Sequence, residues 1–208
     1  MFKTINKNIS AEIVEKKSKF IANVFYVETQ EQADQKVKEI KKKYFDARHN
    51  CFAYSIFTKD GIVNRFSDDG EPSGTAGGPI LNILNGRELT NVVVVVTRYF
   101  GGILLGTGGL IRAYTRATQE VLGEIEEIYK DLGLEAKLVT TYPEFEKLKY
   151  YLKQNLIDIT NIEYNENVEV FVDITEEKYN NILNAKKNYE LNVELQQIEI
   201  LNEKYITI

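Results

Sequence analysis

Residues 92–96 are five valines in a row. A strand that does not alternate polar and apolar positions is covered on both faces, so residues 92–97 are expected at the centre of a sheet. Residues 9–14, 20–27 and 50–58 alternate well enough to read as further strands. Lys59-Asp60-Gly61 has the chemistry of a tight turn, leading to a partner strand at 62–66. Between them, residues 29–44 carry Ala33, Val37, Ile40 and Tyr44 on one helical face, with Lys36, Lys38, Lys41, Lys42 and Lys43 on the other. Residues 67–78 read as a loop and 79–84 as a short helix. A second glycine-rich loop fills 98–109 and leads into a helix over 110–122, striped by Leu110, Tyr114, Ala117 and Val121.

The second half reads as an alternation of strands and helices. Residues 134–141 read as a strand. Pro143 suits a first helical turn, and Phe145, Leu148 and Leu152 follow at helical spacing. Residues 157–164 and 168–174 form a hairpin across the turn at 165–167. Thr175-Glu176-Glu177 caps a helix running through Ile182 and Leu183 to about Tyr189. A last strand is expected at about 193–201. The order β-α-β-β-α-β is the ferredoxin-like pattern, a superfold that says almost nothing about function.

Glycine divides the two halves. Eleven of the 13 glycines lie between Gly61 and Gly109, and none follows Gly133. The expected domains are residues 1–128, which hold the glycine-rich site, and 129–208. Charge divides them too. Residues 1–123 hold 17 Lys and Arg against 13 Asp and Glu, a net of +4; residues 124–208 hold 9 against 18, a net of −9. The first half can meet an anion, whereas the second is a poor general grip on nucleic acid. The alternative is that charge drifted for solubility alone. The one cysteine, Cys51, rules out an intramolecular disulfide and fits a reducing compartment. The N-terminus lacks a signal-peptide core, and residues 92–96 are far too short to span a bilayer. A cytoplasmic protein with no membrane partner is expected.

Strand, glycine loop and helix in succession make the strongest local feature. Glycines let backbone N–H groups approach a ligand, and a helix N-terminus adds free donors and partial positive charge. Gly101, Gly102, Gly106, Gly108 and Gly109 precede the helix, Arg98 closes the strand, and Arg112 and Arg116 lie at i, i+4 away from its apolar stripe. The set reads as a face for an anion, RNA included. No lysine follows Gly106, and the dinucleotide fingerprint does not fit, so neither standard nucleotide loop is present. Close helix-on-sheet packing is the competing reason for the glycines.

The loop 67–79 packs Asp68, Asp69 and Glu71 among two prolines and four glycines. Three carboxylates in four residues suit partner or ligand contact, a Mg²⁺ site, an acid–base pair, or turn-capping alone. No cofactor is otherwise expected. His49 and Cys51 share a strand face but splay apart, so they argue for a structural histidine and a small core cysteine rather than a nucleophile pair. The lysine tract can touch phosphate backbone or simply face solvent. Tyr44, Phe45, Tyr54, Tyr99 and Phe100 can stack on bases or fill the core.

Three long stretches, His49–Tyr54, Asp68–Pro79 and Val96–Tyr114, resemble the signatures of the IMPACT/YigZ family. The likeness is close over residues 18–122, and the second half resembles the domain appended in bacterial YigZ-type members. The resemblance implies an α+β chain. Its N-terminal domain would be similar to the second domain of a small-subunit ribosomal protein, and its C-terminal domain to the ferredoxin-like C-terminal domains of elongation factor G. Eukaryotic members regulate translation under amino-acid starvation by competing for the activator of an initiation-factor kinase. The family motif begins near residue 18, so their N-terminal partner-binding domain is expected to be absent here. The expected function is a non-enzymatic, translation-associated regulatory factor. It would bind RNA, the ribosome or a translation factor, with Arg98, Arg112 and Arg116 on phosphates and the Asp68–Gly78 loop at the rim. The alternatives are an enzyme acting on a small phosphorylated or nucleotide ligand, with or without Mg²⁺, and a protein–protein adaptor.

Overall fold

The computed structural model describes residues 1–188 and 190–208. The chain is mixed α/β, with five helices among the described residues. It divides into two compact units, Phe2–Tyr129 and Lys130–Ile208, the latter with Met1.

The first unit contains β1 (Phe2–Ile5), β2 (Ile9–Glu15), β3 (Ser18–Tyr26), α1 (Gln30–Lys43), β4 (His49–Thr58), β5 (Gly61–Ser67), α2 (Gly77–Gly86), β6 (Val92–Tyr99) and α3 (Gly106–Gly123). An antiparallel sheet runs β2-β3-β6-β4-β5, so the valine strand β6 sits in the middle, as its pattern requires. One face, with Phe20, Ala22, Cys51, Ala53, Val94 and Val96, packs against α2 and α3. The other, with Phe52, Tyr54, Ile56, Val93 and Val95, packs against Ala33, Val37 and Ile40 of α1. Period-2 geometry sends alternate valines to opposite cores.

Local chemistry sets the ends of α1. The Thr29 hydroxyl accepts from the Gln32 N–H, and the Gln32 side chain accepts from the Glu28 N–H, satisfying donors that the first turn leaves open. Two helices start earlier than their apolar periodicity. Helix α2 begins at Gly77 rather than 79, and α3 at Gly106 rather than 110. Glycine disfavours a helix interior but is tolerated in a first turn, so the periodic residues mark the packed face and not the true start.

Most of β7 (Glu127–Thr140) lies in the second unit, followed by α4 (Tyr142–Gln154), β8 (Ile159–Tyr164), β9 (Val168–Ile174), α5 (Glu176–Lys187) and β10 (Leu195–Thr207). β7 pairs with β9 and β10, and β9 with β8, all antiparallel. The order β10-β7-β9-β8 is the ferredoxin-like arrangement expected from the sequence. β9 alternates strictly, with Val168, Val170, Val172 and Ile174 buried against Leu148 and Leu152 of α4 and Ile182 of α5. β10 continues six residues beyond the expected end at 201. β1 had no alternation to announce it. The expected end of α5 near Tyr189 lies outside the described residues. No helix among the described residues is long and apolar enough to cross a membrane.

Candidate functional site

The two glycine-rich segments meet at the ends of β4 and β6. His49 and Arg98 are direct partners in the β4–β6 ladder, which places both side chains where β6 gives way to the loop before α3. The loop after β5 folds back beneath them. A hollow of about 410 Å³ opens there, lined by Arg48, His49, Glu71, Arg98, Phe100 and the first turn of α3 at Gly106 and Thr107, among others.

The three loop carboxylates have different jobs. Asp68 holds the loop together: Oδ1 accepts from the N–H groups of Ala76 (3.0 Å) and Gly77 (2.9 Å), and Oδ2 from Gly74 (2.8 Å). It is thus the anion at the start of α2, which has no cap of its own. Asp69 ties the loop to two other elements, accepting from Lys41 Nζ of α1 at 2.6 Å and from the Asn50 N–H of β4 at 2.7 Å. Glu71 is buried. Its Oε1 accepts from Arg98 Nη1 at 2.7 Å and from the Tyr114 hydroxyl at 2.8 Å. Among the described residues, no group of three or more His, Cys, Asp or Glu side chains is arranged to hold a metal ion.

A polar chain runs inward from the hollow. The Tyr114 hydroxyl lies 3.3 Å from Cys51 Sγ, and the thiol is 2.9 Å from the Asp68 carbonyl that accepts from it. Burial pushes the Cys51 thiol far up, partly opposed by the Tyr114 hydrogen bond. Burial also pushes the Tyr114 hydroxyl far up, reinforced by Cys51 and Glu71. Both shifts favour the protonated forms, and Cys51 is fully buried in the core. His49 does not touch it. Its Nδ1 lies 2.9 Å from the Asp69 carbonyl, and its Nε2 is 4.0 Å from Glu71 Oε2.

The glycines are partly structural. A Cβ on Gly101 would lie 2.0 Å from the Lys17 carbonyl carbon, so backbone passes directly against backbone there. Gly106 opens α3 at φ +71°, a left-handed value that glycine adopts without strain. Leu105 at the N-cap position supplies no side-chain hydrogen bond, so the first-turn amides of α3, those of Gly106, Gly108 and Gly109 included, are left uncapped by it.

The structure does not bring the three arginines together. Arg98 is buried, held by Glu71, with its guanidinium 5.6 Å from the ring centroids of both Phe20 and Phe100. Arg112 and Arg116 are exposed and line a separate hollow of about 210 Å³ with Glu15, Lys16 and Gly109. The two hollows share Leu105. Arg116 sits 3.7 Å from Glu15, and Arg112 has no ion-pair partner among the described residues. Sequence reasoning passed over Arg48. It is exposed at the rim of the larger hollow and is likewise without an ion-pair partner among the described residues. Its position directly before His49, a residue already singled out, was the available signal. Of the lysine tract, Lys41 serves Asp69 and Lys36 pairs with Glu39. Of the aromatics, Tyr54 is core, while Phe45 and Phe100 are open.

The family model of the Impact N-terminal domain matches residues 16–122, the span that builds this site. The chain belongs to the IMPACT family. A second model, a domain of unknown function (DUF1949), matches residues 138–185. The IMPACT family member YvyE of Bacillus subtilis is 42% identical over 178 residues, covering 86% of this chain and 81% of that protein. The IMPACT family member YigZ of Escherichia coli is 37% identical over 150 residues, covering 72% and 74%. A crystal structure of a hypothetical protein matches with a TM-score of 0.65 and 31% identity, over 95% of this chain and 97% of that one. The two-unit architecture is therefore shared with a solved relative.

Proposed function

We propose that this IMPACT family member is a non-enzymatic regulator of translation that binds RNA phosphates on the surface around the amino end of α3. One observation carries the reading: cations with no ion-pair partner among the described residues flank an uncapped helix start. Arg48 lies on one side, in the hollow with Gly106 and Thr107. Arg112 and Lys16 lie on the other, in the hollow with Gly109. The Arg112 Nη1 atom reaches back to within 3.5 Å of where a Gly108 Cβ would stand, so this guanidinium lies over the first turn. Free amides and unpaired guanidinium groups are the two donor types that grip phosphate. Arg98 supports the surface from beneath, with one guanidinium nitrogen committed to Glu71.

The translation context comes from the family resemblance, and the phosphate chemistry from the site. The test is sedimentation with ribosomes and titration with ribosomal RNA fragments at several salt concentrations. Binding is expected to fall steeply with salt. The double variant Arg48→Ala/Arg112→Ala is expected to weaken binding across all RNA sequences and to lower the salt slope by about two. Unchanged binding by that variant, or no salt dependence in the wild type, would remove the proposal.

A further inference from the structure

Phosphate contact leaves part of the larger hollow unexplained. Glu71 Oε1 is fully engaged, but Oε2 accepts no hydrogen bond among the described residues, although the side chain is only 3% exposed. The Asp69 carbonyl can only accept, so His49 Nδ1 carries the proton of that contact, and in the neutral ring Nε2 holds the lone pair. In that form Nε2 and Oε2 face one another as acceptors at 4.0 Å, too far apart for a hydrogen bond, and neither receives one from the described residues. Arg98 is also more than nine-tenths buried in this lining, and its Nε has no hydrogen-bond partner among the described residues. Buried polar groups are normally satisfied, so the hollow has the features of a site completed by something else. The donors are the α3 amides, Arg48 and Arg98 Nε, and the acceptors are Glu71 and His49. Phe100, Leu104, Leu110 and Pro72 add apolar surface.

We propose that this hollow takes a single unpaired nucleotide. The phosphate sits on the first-turn amides of α3 and Arg48. The base packs on the apolar surface, and its N–H edge donates to Glu71 Oε2 and His49 Nε2. This deepens the RNA-binding reading and rests on it. A volume of about 410 Å³ lies within the usual range for small-ligand sites. An aromatic side chain and an anion-binding helix start suit the two halves of a nucleotide. The acceptor pair also selects. Guanine, adenine and cytosine each carry an exocyclic amino group. Uracil offers one N–H flanked by two carbonyls, which would face the acceptors of Glu71 and His49. A lost hydrogen bond to a charged acceptor corresponds to about tenfold in affinity or more.

The same chemistry is carried by a free 5′-mononucleotide and by a splayed or terminal nucleotide of RNA. Calorimetric titration of the full chain with GMP, AMP, CMP, UMP and inorganic phosphate, beside a short single-stranded RNA, separates these sources. The first three nucleotides are expected to bind about tenfold or more tighter than UMP and phosphate. If the RNA shows the base preference and the mononucleotides show it only weakly, the source is RNA. Arg48→Ala should weaken all four nucleotides alike. His49→Ala should bring the three favoured ones toward UMP. Glu71→Gln presents an amide N–H₂ and should shift preference toward the uracil carbonyls. Circular dichroism checks that it folds; His49→Ala decides if it does not. Equal affinity for all four nucleotides and phosphate would overturn the base contact. Salt-sensitive RNA binding with no base preference, unaltered by His49→Ala, would overturn the pocket and leave the RNA reading standing. Absence of any RNA binding would remove both.

Discussion

Glu71→Ala would leave two buried donors with no acceptor, Arg98 Nη1 and the Tyr114 hydroxyl. The Arg98 side chain is 7% exposed and Tyr114 is fully buried, so solvent screens little of the loss. Removing one partner of a buried ion pair costs about 3–5 kcal/mol, because the remaining charge is uncompensated. An orphaned hydroxyl costs about 1–3 kcal/mol. The two do not add, since both donors share one oxygen. The expected destabilisation is about 3–5 kcal/mol, a large fraction of the stability of an ordinary domain. Glu71→Gln keeps an acceptor oxygen and is expected to cost about 1–3 kcal/mol. Adding Arg98→Met to Glu71→Ala removes the stranded charge, so the double variant should be more stable than Glu71→Ala alone. Urea unfolding followed by circular dichroism gives the totals. Amide exchange of β6 shows that the loss belongs to the first unit. A cost below about 1 kcal/mol for Glu71→Ala, or a double variant no more stable than Glu71→Ala, would refute the reasoning.

The remaining predictions concern the frame around the site. Gly101→Ala places a methyl 2.0 Å from the Lys17 carbonyl carbon with no side chain able to yield, so it should cost about 3 kcal/mol or more, read as a lower Tm. Asp68→Ala removes the acceptor of three backbone N–H groups, and a loss of about 2–4 kcal/mol is expected; chemical unfolding within about 0.5 kcal/mol of wild type would show that the loop holds itself without it. The thiol of Cys51 is raised in the folded chain, so its contribution is complete below the unfolded value of about 8.5 and declines as pH rises above it. At pH 9.5 the wild type should have lost about 1.4 kcal/mol more than Cys51→Ala, relative to pH 7; equal losses would mean that the thiol ionises freely when folded. In the same pH range Cys51 should react with a thiol reagent only after unfolding.

Much of the layout is determined by the sequence alone. Five adjacent valines can be buried on both faces only in the middle of a covered sheet, and β6 is there. The alternation of residues 168–174, the cap at Thr175 and the turn at 59–60 act between neighbours in the chain, so their outcome is readable locally. The glycine-rich stretches also mark, on sequence grounds, where backbone would come close. The fate of each charged side chain is decided by distance in space. Asp68, Asp69 and Glu71 look alike in sequence, yet one caps α2, one ties the loop to α1 and β4, and one is buried under Arg98. Arg98, Arg112 and Arg116 read as one cationic face, but the β4–β6 register draws Arg98 inward and leaves the other two on α3. Arg48 becomes prominent only because β4 delivers it beside a helix start 58 positions later in the chain. Hydrophobic periodicity and turn chemistry act over a few residues. The partner of a buried charge is set by packing between elements far apart in the chain, and only the tertiary structure supplies it.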